Sequence, residues 1–370
     1  MREHDRADIK IDIFGNFYLG MNRVKKDIPF HIVQFMKRSI LGLMYLIQGM
    51  RKAGVDVDAK LQSIGLCADA LDTSSVIHPS LEWDILNVIG ADVEPEMGLF
   101  IGQHYALAGY GPLLMLLVTS PDIATALEKG IQYQGLTHLS GKLSLQHSTR
   151  HIALCYQPND LHSNLGVLRA QSEISGTFKF IQDLYKMMGM SAPRIRIELP
   201  FTQPQQSEVL QTFYDYYGQD IVFNQSQAAF WFDDSVLTAR IPSADAVTFG
   251  SYEVKCVIEL ERLKLEDDAP SVVQRVKDYL ELQQGNMPSM AETAHALQIP
   301  ERTLRHQLQQ LNTSYKQIRE DLIKDKALRL IEYQEYSIEM IAELLGYSEP
   351  AAFNHAFKRW FGQSPRQYTK

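Results

Sequence analysis

Residues 271–370 of this 370-residue chain carry one pattern twice, two short helices joined by a turn, and nothing else constrains the fold as strongly. The first copy runs from Ser289 to Leu311 and the second from Ser337 to Phe361. Overlaid, Ala294 meets Ala342 and Leu297 meets Leu345 at an offset of 48; Leu304 meets Phe353 and Leu308 meets Phe357 at 49, so the second turn holds one extra residue. Two short helices that cross steeply need a small residue at the contact, the place given to Ala294 and Ala342. Leu297, Ile299, Leu304 and Leu308 then plug one corner, and Leu345, Tyr347, Phe353 and Phe357 the other. A helix braced in this way offers its outer face to a DNA major groove.

Helix ends are marked by local chemistry. Pro300-Glu301 and Ser348-Glu349-Pro350 suit helix starts, and Gly346 lets the chain stop and turn. Between the copies, Ile318, Leu322, Ile323, Ala327, Leu330 and Ile331 recur at three- and four-residue steps, which predicts one helix over Tyr315 to Glu332. Such a helix spans roughly 27 Å, and it would hold the two reading helices about one DNA turn apart, roughly 34 Å. The faces left free are Arg302, Thr303, Arg305, His306 and Gln309 in the first copy and Ala351, Asn354, His355, Lys358 and Arg359 in the second. Arg suits guanine, Asn adenine and Ala the thymine methyl. Lys358 and Arg359 lie further along their helix and are expected on phosphate.

The stretch from Ser337 to Tyr368, with Ile341-Ala-Glu-Leu-Leu-Gly-Tyr347 and Phe357-Lys-Arg-Trp-Phe-Gly-Gln-Ser-Pro365 inside it, resembles the signature of the AraC/XylS family of bacterial transcription regulators. The resemblance covers residues 271–370, and it departs at Ile323, where similar proteins often carry an arginine. It implies a sequence-specific DNA-binding regulator whose partners are double-stranded DNA and a small-molecule effector, with RNA polymerase a further candidate, and no cofactor.

Charge supports a division of the chain. It has 36 Lys and Arg against 44 Asp and Glu, of which 13 and 12 lie from residue 271 onward. The acidity therefore sits in the amino-terminal part, where it discourages stray contacts with DNA. Cys67, Cys155 and Cys256 stand far apart, which argues for a reducing cytoplasm and against a disulfide or zinc framework. No apolar run predicts a membrane span or signal peptide. The expected organisation is a partly ordered tail over 1–30, an effector and dimerisation domain over 31–263, a charged linker over 264–270 and an all-α double helix-turn-helix domain over 271–370.

The amino-terminal part reads as α+β. Helices are predicted at His31–Ala53, Ser80–Ile89, Glu94–Tyr105 and Ile123–Leu136, and a hairpin at Lys142–Gln146 and His151–Tyr156. There follow a long helix, Asn164–Met190, a strand at Arg194–Leu199, a helix at Ser207–Tyr217 and strands at Ile221–Phe223 and Ala228–Phe232, so that a mostly antiparallel sheet forms. Gly109 through Leu127 and the passage from Pro193 to Tyr217 resemble the non-cupin effector domain of one branch of the same family, so arabinose binding is not implied. The long helix carries Phe178, Tyr185 and Met188, expected to wall a pocket for a small apolar metabolite against the sheet. Transmission to DNA is expected through Lys264–Pro270. Ser251–Leu263, with Val254, Val257, Leu260 and Leu263, is expected as a helix that forms a homodimer.

Two alternatives remain open at this level: control by a protein partner or abundance without a small effector, and an enzyme domain fused to a DNA reader. The second lacks support, because the chain has no nucleophile elbow, phosphate loop or His-Glu-x-x-His, and His147 and His151 flank a predicted turn without a third ligand.

Overall fold

A computed structural model of the chain describes residues 10–11, 17–18, 36–263, 271–283, 287–332 and 336–368. Within the expected tail, strands β1 (Lys10–Ile11) and β2 (Phe17–Tyr18) pair antiparallel; the rest of the tail, the start of the first predicted helix at residues 31–35 and the linker 264–270 lie outside the described residues.

The first helix starts later than its apolar pattern suggests. Strand β3 (Arg38–Ser39) pairs with β4 (Val76–Ile77), and the Ser39 hydroxyl then accepts from the Leu41 N–H to cap α1 (Ile40–Lys52). Helices α2 (Val57–Ser63), α3 (Pro79–Ile89) and α4 (Met97–Gly102) complete an amino-terminal helical layer. Predicted Glu94–Tyr105 contracts to α4, and its Gly98 and Gly102 let it pass closely against a longer helix, α7 (Asn164–Met187). A Cβ on Gly98 would lie 2.3 Å from the Leu168 carbonyl oxygen, and one on Gly102 2.0 Å from the Ser175 Oγ.

Helices α5 (Pro112–Val118) and α6 (Ile123–Gln132) lead into strands β5 (Lys142–His147) and β6 (His151–Gln157). After α7 come β7 (Arg196–Glu198), α8 (Ser207–Tyr217), β8 (Ile221–Val222) and β9 (Ala228–Asp233). The sheet order is β5-β6-β9-β7-β8, antiparallel except for the parallel pair β7–β8 that α8 connects. Alternation sends Leu143, Ile152, Leu154, Phe230 and Phe232 into one core with α5, α6 and α7. The fold is α+β, as expected.

Where the helical layer meets the sheet, α7 buries charge. Arg169 binds Glu82 and Glu173 at 2.9 Å each, and Arg38 Nε lies 3.1 Å from Glu82. The Tyr156 hydroxyl donates to Glu173, which also accepts from the Ser140 N–H at 2.8 Å. Burial alone would raise the Glu82 carboxyl, but Arg169 and Arg38 outweigh it and hold it below its ordinary value.

Helix α9 (Ala246–Leu263) packs on α5 and begins earlier than predicted. The carboxy-terminal part is all-α: α10 (Val272–Glu281), α11 (Met290–Ala296), α12 (Glu301–Gln310), α13 (Tyr315–Glu332), α14 (Ile338–Leu344), α15 (Pro350–Phe361) and a last turn at Pro365–Tyr368. Its first half does not close on itself. Val276, Tyr279, Leu280, Leu297, Leu304, Leu308 and Ile318 share one apolar core with Ile40, Leu61, Leu66, Ile85 and Leu168. The second half has its own small core of Ala327, Ile331, Ile341, Ala342, Leu345, Phe353 and Phe357.

Candidate nucleic-acid interface and effector cavity

Each reading helix is aimed by a turn whose backbone repeats. Ser289 and Glu292 form a reciprocal capping box on α11, and the Ser337 hydroxyl accepts from the Met340 N–H to cap α14. The chain then reverses through a left-handed residue, Gln298 at φ 54° in the first copy and Gly346 at φ 76° in the second. The N–H of Ile299 donates to Ala294 at 3.0 Å, and that of Tyr347 to Ala342 at 2.9 Å, closing the two turns alike. Ala294, Leu304 and Leu308, and Ala342, Phe353 and Phe357, are all buried in the places the repeat assigns them.

The opposite faces are open. Arg302, Thr303, Arg305, His306 and Gln309 are exposed on α12, as are Ala351, His355, Lys358 and Arg359 on α15. Asn354 is half-buried and its Nδ2 donates to the Pro350 carbonyl at 3.0 Å. Two more of the ten are held within the protein by ion pairs. Arg305 meets Glu301 at 2.5 Å, one helical turn back. Arg359 turns inward to Glu320 of α13 at 3.1 Å, where the Trp360 indole N–H also donates at 2.7 Å. Arg359 thus braces α15 against the rod in this structure.

Sequence reasoning missed Glu320 and Trp360, because neither lies on a reading face or a repeat plug. It also missed what carries the first copy. Tyr279 OH donates to the Gly65 carbonyl at 3.2 Å, Lys37 pairs with Asp278 at 3.0 Å, and the Asp72 N–H donates to the Leu282 carbonyl at 3.0 Å. Lys326 of α13 approaches Asp72 at 3.6 Å, and Arg275 approaches Asp84 at 3.7 Å. The sequence signal was an apolar run, Val276, Tyr279 and Leu280 on α10 and Leu282 just after it, with no assigned partner.

A second feature lies in the α+β part. An apolar cavity of ≈ 90 Å³ is enclosed by α5, α6, α7 and the inner face of the sheet. Of the three residues expected to wall a pocket, Tyr185 lines it. Phe178 and Met188 do not: Phe178 packs edge-on against Tyr216 and Tyr217, and Met188, the C-cap residue after α7, is buried in the core. The long helix presents more than one apolar face, and the other is taken up by α8. His147 and His151 flank the β5–β6 turn, exposed, and no cluster of three metal-ligating side chains occurs among the described residues.

Comparison with known proteins agrees with this plan. Residues 54–241 match the family described as the arabinose-binding domain of AraC transcription regulator, N-term, and residues 293–370 match a helix-turn-helix domain. The chain belongs to the AraC family of transcription regulators. It is 26% identical over 283 residues to the HTH-type transcriptional regulator VqsM of Pseudomonas aeruginosa, covering 73% of this chain and 82% of that protein. It is 22% identical over 275 residues to the ornithine utilization regulator of the same organism, covering 74% and 78%. The solved structure of the transcriptional regulator CdpR from Pseudomonas aeruginosa aligns with 89% of this chain and 98% of its own, at 22% identity and a TM-score of 0.44. This AraC-family regulator is therefore a DNA-binding transcription regulator with an amino-terminal effector-type domain, not an enzyme. Among the described residues, no helix is long and apolar enough to cross a membrane.

Proposed function

We propose that the protein reads two successive major grooves on one face of a duplex, and that a small apolar molecule in the amino-terminal cavity modulates this reading. The observation that carries the first part is the pair of exposed faces on α12 and α15, held at the two ends of α13. That helix has Tyr315, Ile318 and Leu322 in the first core and Ala327 and Ile331 in the second. Arg302, Thr303, Arg305, His306 and Gln309 are the first reading set; Ala351, Asn354, His355 and Lys358 are the second, with Arg359 holding the rod.

The second part is supported by the apolar cavity, whose lining side chains include no carboxylate, amide or cation suited to a sugar. Coupling runs through α7, not through residues 264–270 alone. Thr177, Ile181, Leu184 and Tyr185 line the cavity, while Leu168 of the same helix lies in the core that carries the first helix-turn-helix. A shift of α7 against α4 therefore reaches α12 through packed side chains. Residues 31–263 form the sensing unit and 271–370 the reading unit of this scheme, although the two share a core.

Dimerisation through α9 is part of the same proposal. Leu263 is buried and Leu260 packs on its own domain, but Val247 is 82% exposed, Val254 59% and Ile258 63%, an apolar stripe matched by a second copy. The test of the whole is hydroxyl-radical footprinting with Arg305→Ala. Two protected patches one turn apart are expected, with specific affinity lower by ~1–3 kcal/mol and discrimination lost at one base in the patch under α12. A single protected groove contradicts the proposal.

A further inference from the structure

We propose that Glu320 is a positioning residue that limits how strongly the protein grips arbitrary DNA, because it keeps the Arg359 guanidinium out of the phosphate contacts of α15. This rests on the reading of α15 as the second DNA-facing helix.

Each reading helix carries an arginine paired to a carboxylate, and the two pairs differ in what fixes the acid. Glu301 lies on α12 itself, one turn before Arg305, and both side chains are exposed. Among the described residues Arg305 is the one side-chain partner of Glu301, so this acid swings away freely when a base or phosphate arrives. Glu320 lies on a different helix, α13, and its Oε1 accepts twice: from the Arg359 guanidinium at 3.1 Å and from the Trp360 indole N–H at 2.7 Å. Trp360 packs on the second core. The Glu320 side chain is 27% exposed and that of Arg359 69%. The acid is thus the fixed member of the pair and the arginine the movable one.

The Trp360 hydrogen bond, and after it Arg359 and Lys324, hold the Glu320 carboxyl below its ordinary value, so it is charged at neutral pH. Lys324 is itself tied to Asp321 at 3.4 Å, which leaves Arg359 as the cation that Glu320 holds. A guanidinium that meets a duplex displaces counterions, and each such contact adds affinity without regard to sequence. Arg359 makes that contact only by leaving Glu320, and leaving uncovers a pinned negative charge beside a polyanion. The clasp therefore weakens phosphate binding on every sequence. Lys358, exposed and without an ion pair among the described residues, stays free to meet phosphate. From residue 271 onward 13 basic residues stand against 12 acidic ones, so one arginine withheld from phosphate is a large share of the general attraction to DNA.

The experiment is fluorescence anisotropy of the full-length protein on a random-sequence DNA duplex, over a range of about 50 to 200 mM salt. Glu320→Gln keeps an acceptor for the Trp360 indole and removes the charge. It should tighten the random duplex about two- to fivefold, the scale of one exposed charge pair. It should also steepen the logarithmic salt dependence by about 0.9, one phosphate contact. Asp325→Asn removes the same unit of charge from an exposed residue of α13 that has no ion pair among the described residues. It should change affinity less than about twofold and leave the slope alone. Arg359→Ala added to Glu320→Gln should take back both the gain and the extra slope. Equal effects of Glu320→Gln and Asp325→Asn would overturn the proposal, since net charge would then explain them. Weaker binding at an unchanged slope in Glu320→Gln would also overturn it, by making the clasp a brace and nothing more. Lys358→Ala tells this failure from failure of the underlying reading, because it should flatten the slope in the wild-type protein. A flattened slope in Lys358→Ala beside no change in Glu320→Gln would overturn the role of Glu320 alone. If neither Lys358→Ala nor Arg359→Ala moves the slope, α15 does not face phosphate and both readings fall.

Discussion

The two helix-turn-helix copies resemble each other in sequence and turn geometry, yet they stand in different surroundings. The first shares its core with α1 to α4 and is tied to them by Lys37–Asp278, Tyr279–Gly65 and the backbone bond from Asp72 to Leu282. The second closes on seven buried residues of its own and meets the rest of the described chain chiefly through α13. A repeat in sequence fixes how each motif folds locally. What each motif leans on is set by residues outside the repeat, here the apolar side of α10. One motif is thus built onto the amino-terminal body and the other is a lobe on a rod, so the proposed effector should act first on the first.

Core substitutions give the largest expected contrast. Phe353→Ala, at a fully buried plug of the second copy, should cost ~3–5 kcal/mol locally and erase the second footprint patch while the amino-terminal domain keeps its Tm. Ile85→Ala lies in the amino-terminal domain, beside Tyr279 and Leu297. It should cost ~2–5 kcal/mol and weaken the first patch although it is no part of the DNA reader. Equal loss of both patches in Ile85→Ala would break the comparison.

Acid should sharpen it. His138 is stacked on Tyr105 at 4.1 Å inside the helical layer, with Arg169, Glu82 and Arg38 around it, and its Nε2 lacks a partner. Burial, aided by Arg169, pulls it down to about 3 from the ordinary 6.5. The unfolded chain therefore binds this proton first. Stability is flat above pH 6.5 and falls as pH drops from 6.5 towards 3, by roughly 1.4 kcal/mol per pH unit from this group. Lowering the pH from 7 to 5.5 should weaken the first patch before the second. Tm measured against pH for His138→Phe should lose that part of the slope, and an identical slope would assign the acid sensitivity elsewhere.

A smaller effect is expected for Tyr279→Phe, which removes the hydrogen bond to the Gly65 carbonyl and little else. It should cost ~1 kcal/mol, read by denaturant melting, and lower affinity for the first half-site more than for the second.

Much of this molecule is legible in its sequence. Tyr315–Glu332 and Ser207–Tyr217 emerge with the bounds that periodicity gives, and the sheet strands lie within a residue or two of their alternating runs. The reading faces follow because plugs and free positions alternate on one helical period. Helix α5 escapes, since Pro112-Leu-Leu-Met-Leu-Leu-Val118 is apolar on every side and so has no face to detect. Helix α2 is only seven residues, too short for a period to register. The left-handed turn residue is announced by Gly346 but hidden at Gln298. Beside the expected long helix the cavity is lined by Tyr185, whereas Phe178 faces α8 and Met188 lies in the core, because which apolar face meets α8 and which meets α5 is decided by tertiary packing.

Native-state hydrogen exchange of the full-length protein tests the central claim most directly, because it reports which segments open together. If the first helix-turn-helix is built onto the amino-terminal body, amides of α12 should exchange only as fast as those of α1 and α3, and those of α15 should exchange faster, in a separate unit. Ile85→Ala should then speed exchange in α12 and leave α15 alone. Exchange of α12 and α15 as one unit, faster than the amino-terminal helices and indifferent to Ile85→Ala, would contradict the account.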